Sequence, residues 1–126
     1  MTVNGVERRL YPRIPLKDVL VDTHSDFDQS HDMLIGKIED ISMGGMLTVF
    51  DPFDQLNEQV FLSFSLPNGS RFVGIKSRVV WSGVDEDKQL AGMEFLELGS
   101  PHRSRLADFI QQWESHFEKH GKYPNS

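Results

Sequence analysis

The 126-residue chain contains no cysteine. Disulfide staples and cysteine-ligated zinc are therefore excluded, and the chain fits a reducing compartment. Stability has to come from a core. At this length roughly two-thirds of the unfolded chain's surface can be buried, which is enough for one unstapled domain. No run approaches the ~18 apolar residues of a membrane span. Basic residues are scarce: 13 Lys and Arg against 19 Asp and Glu give a formal net charge of −6. A broad positive field over many phosphates, as a nucleic-acid polymer requires, is thus missing. Residues 1–7 lack the basic start and apolar run of a secretory signal. These absences lead to the expectation of a cytoplasmic protein that binds neither membrane nor nucleic-acid polymer.

What is present reads mostly as strand. Residues 16–23, 33–41 and 45–50 carry short apolar segments such as Val19, Leu20, Val21, Ile35, Ile38 and Ile41. Over residues 60–66, Val60, Leu62, Phe64 and Leu66 alternate with Phe61, Ser63 and Ser65, the period of a half-buried strand. Pro67-Asn68-Gly69 follows, and Asn-Gly predicts a tight hairpin with positive φ angles. Residues 70–81 form the next strand, in which Gly74 predicts a bend or bulge. Asp85 to Lys88 reads as a solvated turn before a last strand over 89–96. The period then changes: Leu106, Phe109, Ile110, Trp113 and Phe117 recur at helical spacing. Ser100 is the expected N-cap and Pro101 the first helical residue, with the helix ending near His120 before Gly121. The expected fold is all-β: a six-stranded antiparallel barrel closed by a C-terminal α-helix. The expected organisation is an N-terminal arm over 1–15, the barrel over 16–98, the helix over 100–120 and a tail over 121–126.

Two short segments carry the chemistry. The first, Arg8-Arg9-Leu10-Tyr11-Pro12-Arg13, concentrates three of the basic residues and has the form R-x-x-x-R. Tyr11 precedes a proline and is pushed out of helical geometry, so the segment is expected to be extended. Positions 9 and 13 then lie on one side, roughly 13 Å apart. The second, Asp40-Ile41-Ser42-Met43-Gly44-Gly45, has the form D-x-S-x-x-G. On a strand Asp40 and Ser42 face the same way, and Gly44 and Gly45 permit a turn or bulge with positive φ. Taken separately, the first segment also fits a basic arm and the second a serine-stabilised turn.

In this order, each beside an expected strand, the two segments resemble the signature of the PilZ family of bacterial cyclic di-GMP receptors. Val79-Val80-Trp81 and Ala91-Gly92-Met93-Glu94-Phe95 look like that family's penultimate and last strands. The resemblance implies the same barrel-plus-helix fold. It implies that Arg9 and Arg13 bind guanine and phosphate, with Arg8 as an additional contact, while Asp40, Ser42, Gly44 and Gly45 shape a guanine pocket. The chemistry is apt: the arginine fork matches guanine O6/N7 or a phosphate bidentately and its flat face stacks on a purine. A carboxylate accepts from guanine N1–H and N2–H. Trp81 is either an aromatic beside the ligand or a core residue; Gly92 either admits backbone to the ligand or marks a bend.

Other chemistries are poorly supported by the sequence. His24, His31, His102, His116 and His120 show no metal-ligand spacing, and Asp26, Asp28 and Asp32 lack the regular spacing of a calcium loop. No nucleophile elbow surrounds Ser42, Ser63 or Ser65, and there is no phosphate-binding P-loop. The expectation is a non-enzymatic receptor with no cofactor and no metal, whose ligand is cyclic di-GMP. It would act as a monomer or weak dimer, order its arm on binding, and signal to a downstream protein effector. The alternative is a protein-interaction adaptor of the same fold that does not depend on the nucleotide.

Overall fold

A computed structural model of the chain describes residues 12–25 and 33–120, with side chains as far as His116. Six strands follow one another: β1 (Ile14–His24), β2 (Leu34–Ser42), β3 (Gly45–Phe50), β4 (Gln59–Ser65), β5 (Arg71–Asp85) and β6 (Lys88–Glu97). A single helix, α1 (Ser100–His120), ends the described chain. All pairings are antiparallel, and the strands close into a barrel in the order β1-β2-β3-β6-β5-β4. Closure leaves no free sheet edge along the ring, which removes a common route to aggregation.

The alternation in β4 holds at its apolar positions and fails at Ser63, which is buried where its Oγ accepts from Gly74 N–H. Val60, Leu62 and Phe64 point inward and are buried together with Ile14, Val21, Ile38, Ile41, Met46, Phe72, Ile75 and Met93. Phe64 and Phe72 stack across the β4–β5 pair, ring centroids 4.8 Å apart. The helix closes one end of the barrel with Leu106, Phe109 and Ile110, all buried in the same core. His102 and Arg105 sit against the Phe72 ring, so the first turns of α1 are fixed to β5.

Several local details differ from the sequence reading. The 67–69 turn is a three-residue loop, with Leu66 N–H donating to Ser70 O and Gly69 N–H to Leu66 O. Only Gly69 takes a positive φ, 92°. Pro67 fixes its own φ for the first corner of a type I turn, so Asn68 need not enter the left-handed region. The helix cap moves by one residue: Arg103 N–H donates to Gly99 O, which makes Gly99 rather than Ser100 the N-cap. Finally, β5 runs to Asp85 instead of stopping at Trp81, because β6 pairs with it as far as Asp85 opposite Lys88. Glu86 turns the corner with φ 59°. The bulge expected at Gly74 is present: Val73 and Gly74 together face Ser63, Gly74 has φ 64°, and its N–H donates to Ser63 Oγ at 3.0 Å.

Candidate functional site

Residues paired across adjacent strands lie on the same face of the sheet, so the registers define which side chains share the outside of the barrel. One row runs Asp40–Leu47–Gly92–Trp81 across β2, β3, β6 and β5. The next runs Ser42–Gly45–Glu94–Arg78 across the same four strands. Each row spans three strand spacings, about 14 Å. The barrel therefore gathers Asp40, Ser42, Gly45, Trp81 and Gly92, which are scattered in sequence, onto one outer wall. Gly44 lies in the β2–β3 loop at its edge, and Arg13 immediately precedes β1 beside β2. Arg8 and Arg9 lie outside the described residues.

The D-x-S-x-x-G loop is rigid for reasons of bonding rather than backbone freedom. Neither Gly44 nor Gly45 adopts a positive φ, contrary to the expectation for this turn. Gly44 N–H donates to Ser42 Oγ at 3.2 Å, and Phe95 N–H donates to Gly44 O at 2.9 Å, which ties the loop to β6. Gly45 is required by space: a Cβ there would collide with the carbonyl of Met93 on the paired strand. Between Ser42 and Glu94 the row therefore carries no side chain.

At one end of the wall the guanidinium of Arg13 stands 3.9 Å from the Asp40 carboxylate. Partial burial raises the Asp40 pKa above its ordinary value; Arg13 pulls it back down, the charge of Glu39 raises it, and the Leu47 backbone N–H lowers it. At the other end Trp81 is 48% exposed, which excludes the core reading of this residue. Its indole lies over Gly92, where any Cβ would overlap the ring. Gly92 is thus buried rather than bare to solvent, and it makes room for Trp81 to lie over the strand. The wall therefore offers a carboxylate with a neighbouring guanidinium at one end and an aromatic plate at the other.

Two residues of this wall escaped the sequence reading. Arg78 donates from Nη2 to Glu94 Oε1 at 2.7 Å, directly beside Gly45. Their pairing depends on a bulge in β5 between Val79 and Trp81, opposite Met93 and Gly92. The signal within the chain was the strand pair itself, but the register could not be counted without knowing the bulge. A separate groove of about 420 Å³ lies on the opposite side of the barrel, between β1 and β4, lined by residues such as Lys17, Leu20, Ser65 and Arg71. It shares no residue with the wall.

The fold is a small closed antiparallel barrel followed by a helix, with Asp40, Ser42, Gly45, Trp81 and Gly92 gathered on one outer wall. The chain belongs to the PilZ domain family, whose model matches residues 7–112. Among solved structures it is similar to YcgR from Escherichia coli in complex with c-di-GMP, with a TM-score of 0.69 and 17% identity, over 89% of this chain and 48% of that one. It is also similar to the PilZ domain of YcgR from Escherichia coli with c-di-GMP, with a TM-score of 0.63 and 19% identity, over 91% of this chain and 98% of that one. The chain thus spans about half the length of the whole YcgR chain. At these identities the likeness establishes the fold. No curated protein sequence matches the chain.

Proposed function

We propose that the chain is a cyclic di-GMP receptor that binds the nucleotide on the outer wall of β2, β3, β6 and β5. The observation that carries this reading is the placement of Arg13 beside Asp40 on a wall that ends at an exposed tryptophan. Family membership and the c-di-GMP complexes of YcgR support it. In this reading Asp40 accepts from guanine N1–H and N2–H, and Arg9 and Arg13 take O6/N7 and phosphate oxygens. Ser42, Gly44 and Gly45 hold the floor level beneath the base. Trp81 offers a stacking or edge contact. The N-terminal arm that carries Arg9 and Arg13 folds across the ligand, and the altered surface is read by a partner protein in the cytoplasm. The protein binds its ligand without turning it over.

Calorimetry with cyclic di-GMP tests the proposal. Saturable binding is expected, with cyclic di-AMP much weaker, because adenine inverts the donor and acceptor pattern that Asp40 and the arginines meet. Absence of binding up to ~100 µM, equivalent to less than about 5.5 kcal/mol, would overturn it and leave the nucleotide-independent adaptor.

A further inference from the structure

We infer that Arg78 is a third cationic contact for the ligand and that Glu94 is its built-in competitor. The inference rests on the cyclic di-GMP reading and extends it to a residue outside both sequence motifs. Arg78 and Glu94 are direct cross-strand neighbours on the outer wall; in their row Glu94 is one step from Gly45 and two from Ser42, and Arg78 is one step further from each. Because Gly45 carries no side chain and cannot accept one, nothing of its own separates Ser42 from the Arg78–Glu94 pair. Both side chains are half exposed, so the pair is neither buried nor needed to satisfy a core. An exposed ion pair of this kind contributes little to folding. The bond to Glu94 uses one of the five N–H groups of the guanidinium. The remainder of the fork is open to an oxyanion or to a guanine O6/N7 edge arriving over Gly45.

The charge arrangement gives the pair a role. A ligand laid along the wall meets Arg13, which leads into β1 beside β2, at one end and Arg78 on β5 at the other, four strand spacings or about 19 Å apart at the backbone and bridged by two long side chains. Without ligand, Glu94 holds the Arg78 fork over the wall and neutralises it. With ligand, a phosphate or guanine oxygen replaces the carboxylate. Glu94 then stands as a negative charge close to a dianion, so the wild-type affinity is set below what the cations alone would give. A purely structural pair behaves differently: there, breaking either partner weakens the protein in the same direction.

The test is calorimetry with cyclic di-GMP on the full chain, at one fixed low ionic strength, for wild type, Arg78→Ala, Arg78→Lys and Glu94→Gln. Melting curves of each variant accompany the titrations. Arg78→Ala is expected to weaken binding about tenfold or more, the effect of losing one charged hydrogen bond. Arg78→Lys is expected to fall between, because it keeps the charge and loses the fork. Glu94→Gln is expected to bind more tightly than wild type, and all four proteins to melt within a few degrees of one another. If wild type binds and Arg78→Ala binds equally well, Arg78 is not a contact and the inference is overturned while the receptor reading stands. If Glu94→Gln weakens binding as Arg78→Ala does, Glu94 is not a competitor and the inference is overturned likewise. If wild type itself fails to bind, the receptor reading falls first.

Discussion

The indole of Trp81 lies across Gly92 on the paired strand, in the space that a side chain at position 92 would occupy. The two residues are eleven apart in the chain, yet the β5–β6 register makes them one surface element. Gly92→Ala is expected to lift the ring off the sheet. Overfilling a packed position costs about 1–3 kcal/mol, but Trp81 is half exposed and free to swing outward, so the stability loss should fall at the low end. The sharper readout is tryptophan fluorescence: emission should move to longer wavelength as the ring enters water. An unchanged spectrum would show that the ring does not rest on Gly92.

Gly45 faces a harder obstacle. A Cβ at this position meets the backbone carbonyl of Met93, which cannot rotate away. Gly45→Ala should therefore force β3 and β6 apart and cost about 2–3 kcal/mol or more, several degrees of melting temperature for a domain of this size. Gly83 provides the control: nothing lies within 4 Å of its added Cβ, so Gly83→Ala should stay within about 0.5 kcal/mol of wild type. Equal melting temperatures for the two variants would remove the steric explanation for glycine at position 45.

The difference between those two glycines shows where sequence reading stops. The six strands, the β4–β5 hairpin and the amphipathic stripe of α1 follow from period and turn residues, because both are patterns of nearby positions in the chain; the pairing of β3 with β6 is not such a pattern. The reason for Gly45 does not, because its constraint comes from Met93 on another strand. A glycine in D-x-S-x-x-G reads naturally as a positive φ, and only the register reveals a contact instead. The Arg78–Glu94 bond is hidden in the same way: one bulged residue in β5 decides whether the two face each other. Asp40 and Ser42 were legible because period two alone puts them on one side.

The helix is expected to be part of the folding unit. Leu106 is fully buried in the barrel core, although it lies on the last element of the chain. Leu106→Ala should cost about 2–5 kcal/mol, the range for removing a large aliphatic side chain from a packed core. Urea denaturation would show this as a lower midpoint at unchanged slope. A loss below 1 kcal/mol would mean that α1 only rests on a barrel that is already complete.

If the chain binds cyclic di-GMP as proposed, Asp40 should make stability and ligand binding respond to pH in opposite directions. Its pKa in the folded state is raised, chiefly by burial, so the folded protein holds this proton more tightly than the unfolded chain. Above the folded pKa the ionised carboxylate therefore costs stability. That cost fades as pH falls through the folded pKa toward the unfolded value, where it is gone. Asp40→Asn should consequently be more stable than wild type near neutrality, with the gap closing on acidification. In the proposed receptor reading binding runs the other way, since the ionised carboxylate is the form that would accept from guanine. Affinity for cyclic di-GMP should drop as pH falls through the raised pKa, at higher pH than an ordinary aspartate would dictate. Arg13 now holds that pKa down from 3.9 Å, so Arg13→Ala should both weaken binding and shift its acid midpoint upward. Titrations at several pH values from neutrality down into the acid range separate the two effects. A uniform loss of affinity in Arg13→Ala, with no shift of the midpoint, would mean that Arg13 touches the ligand without tuning Asp40.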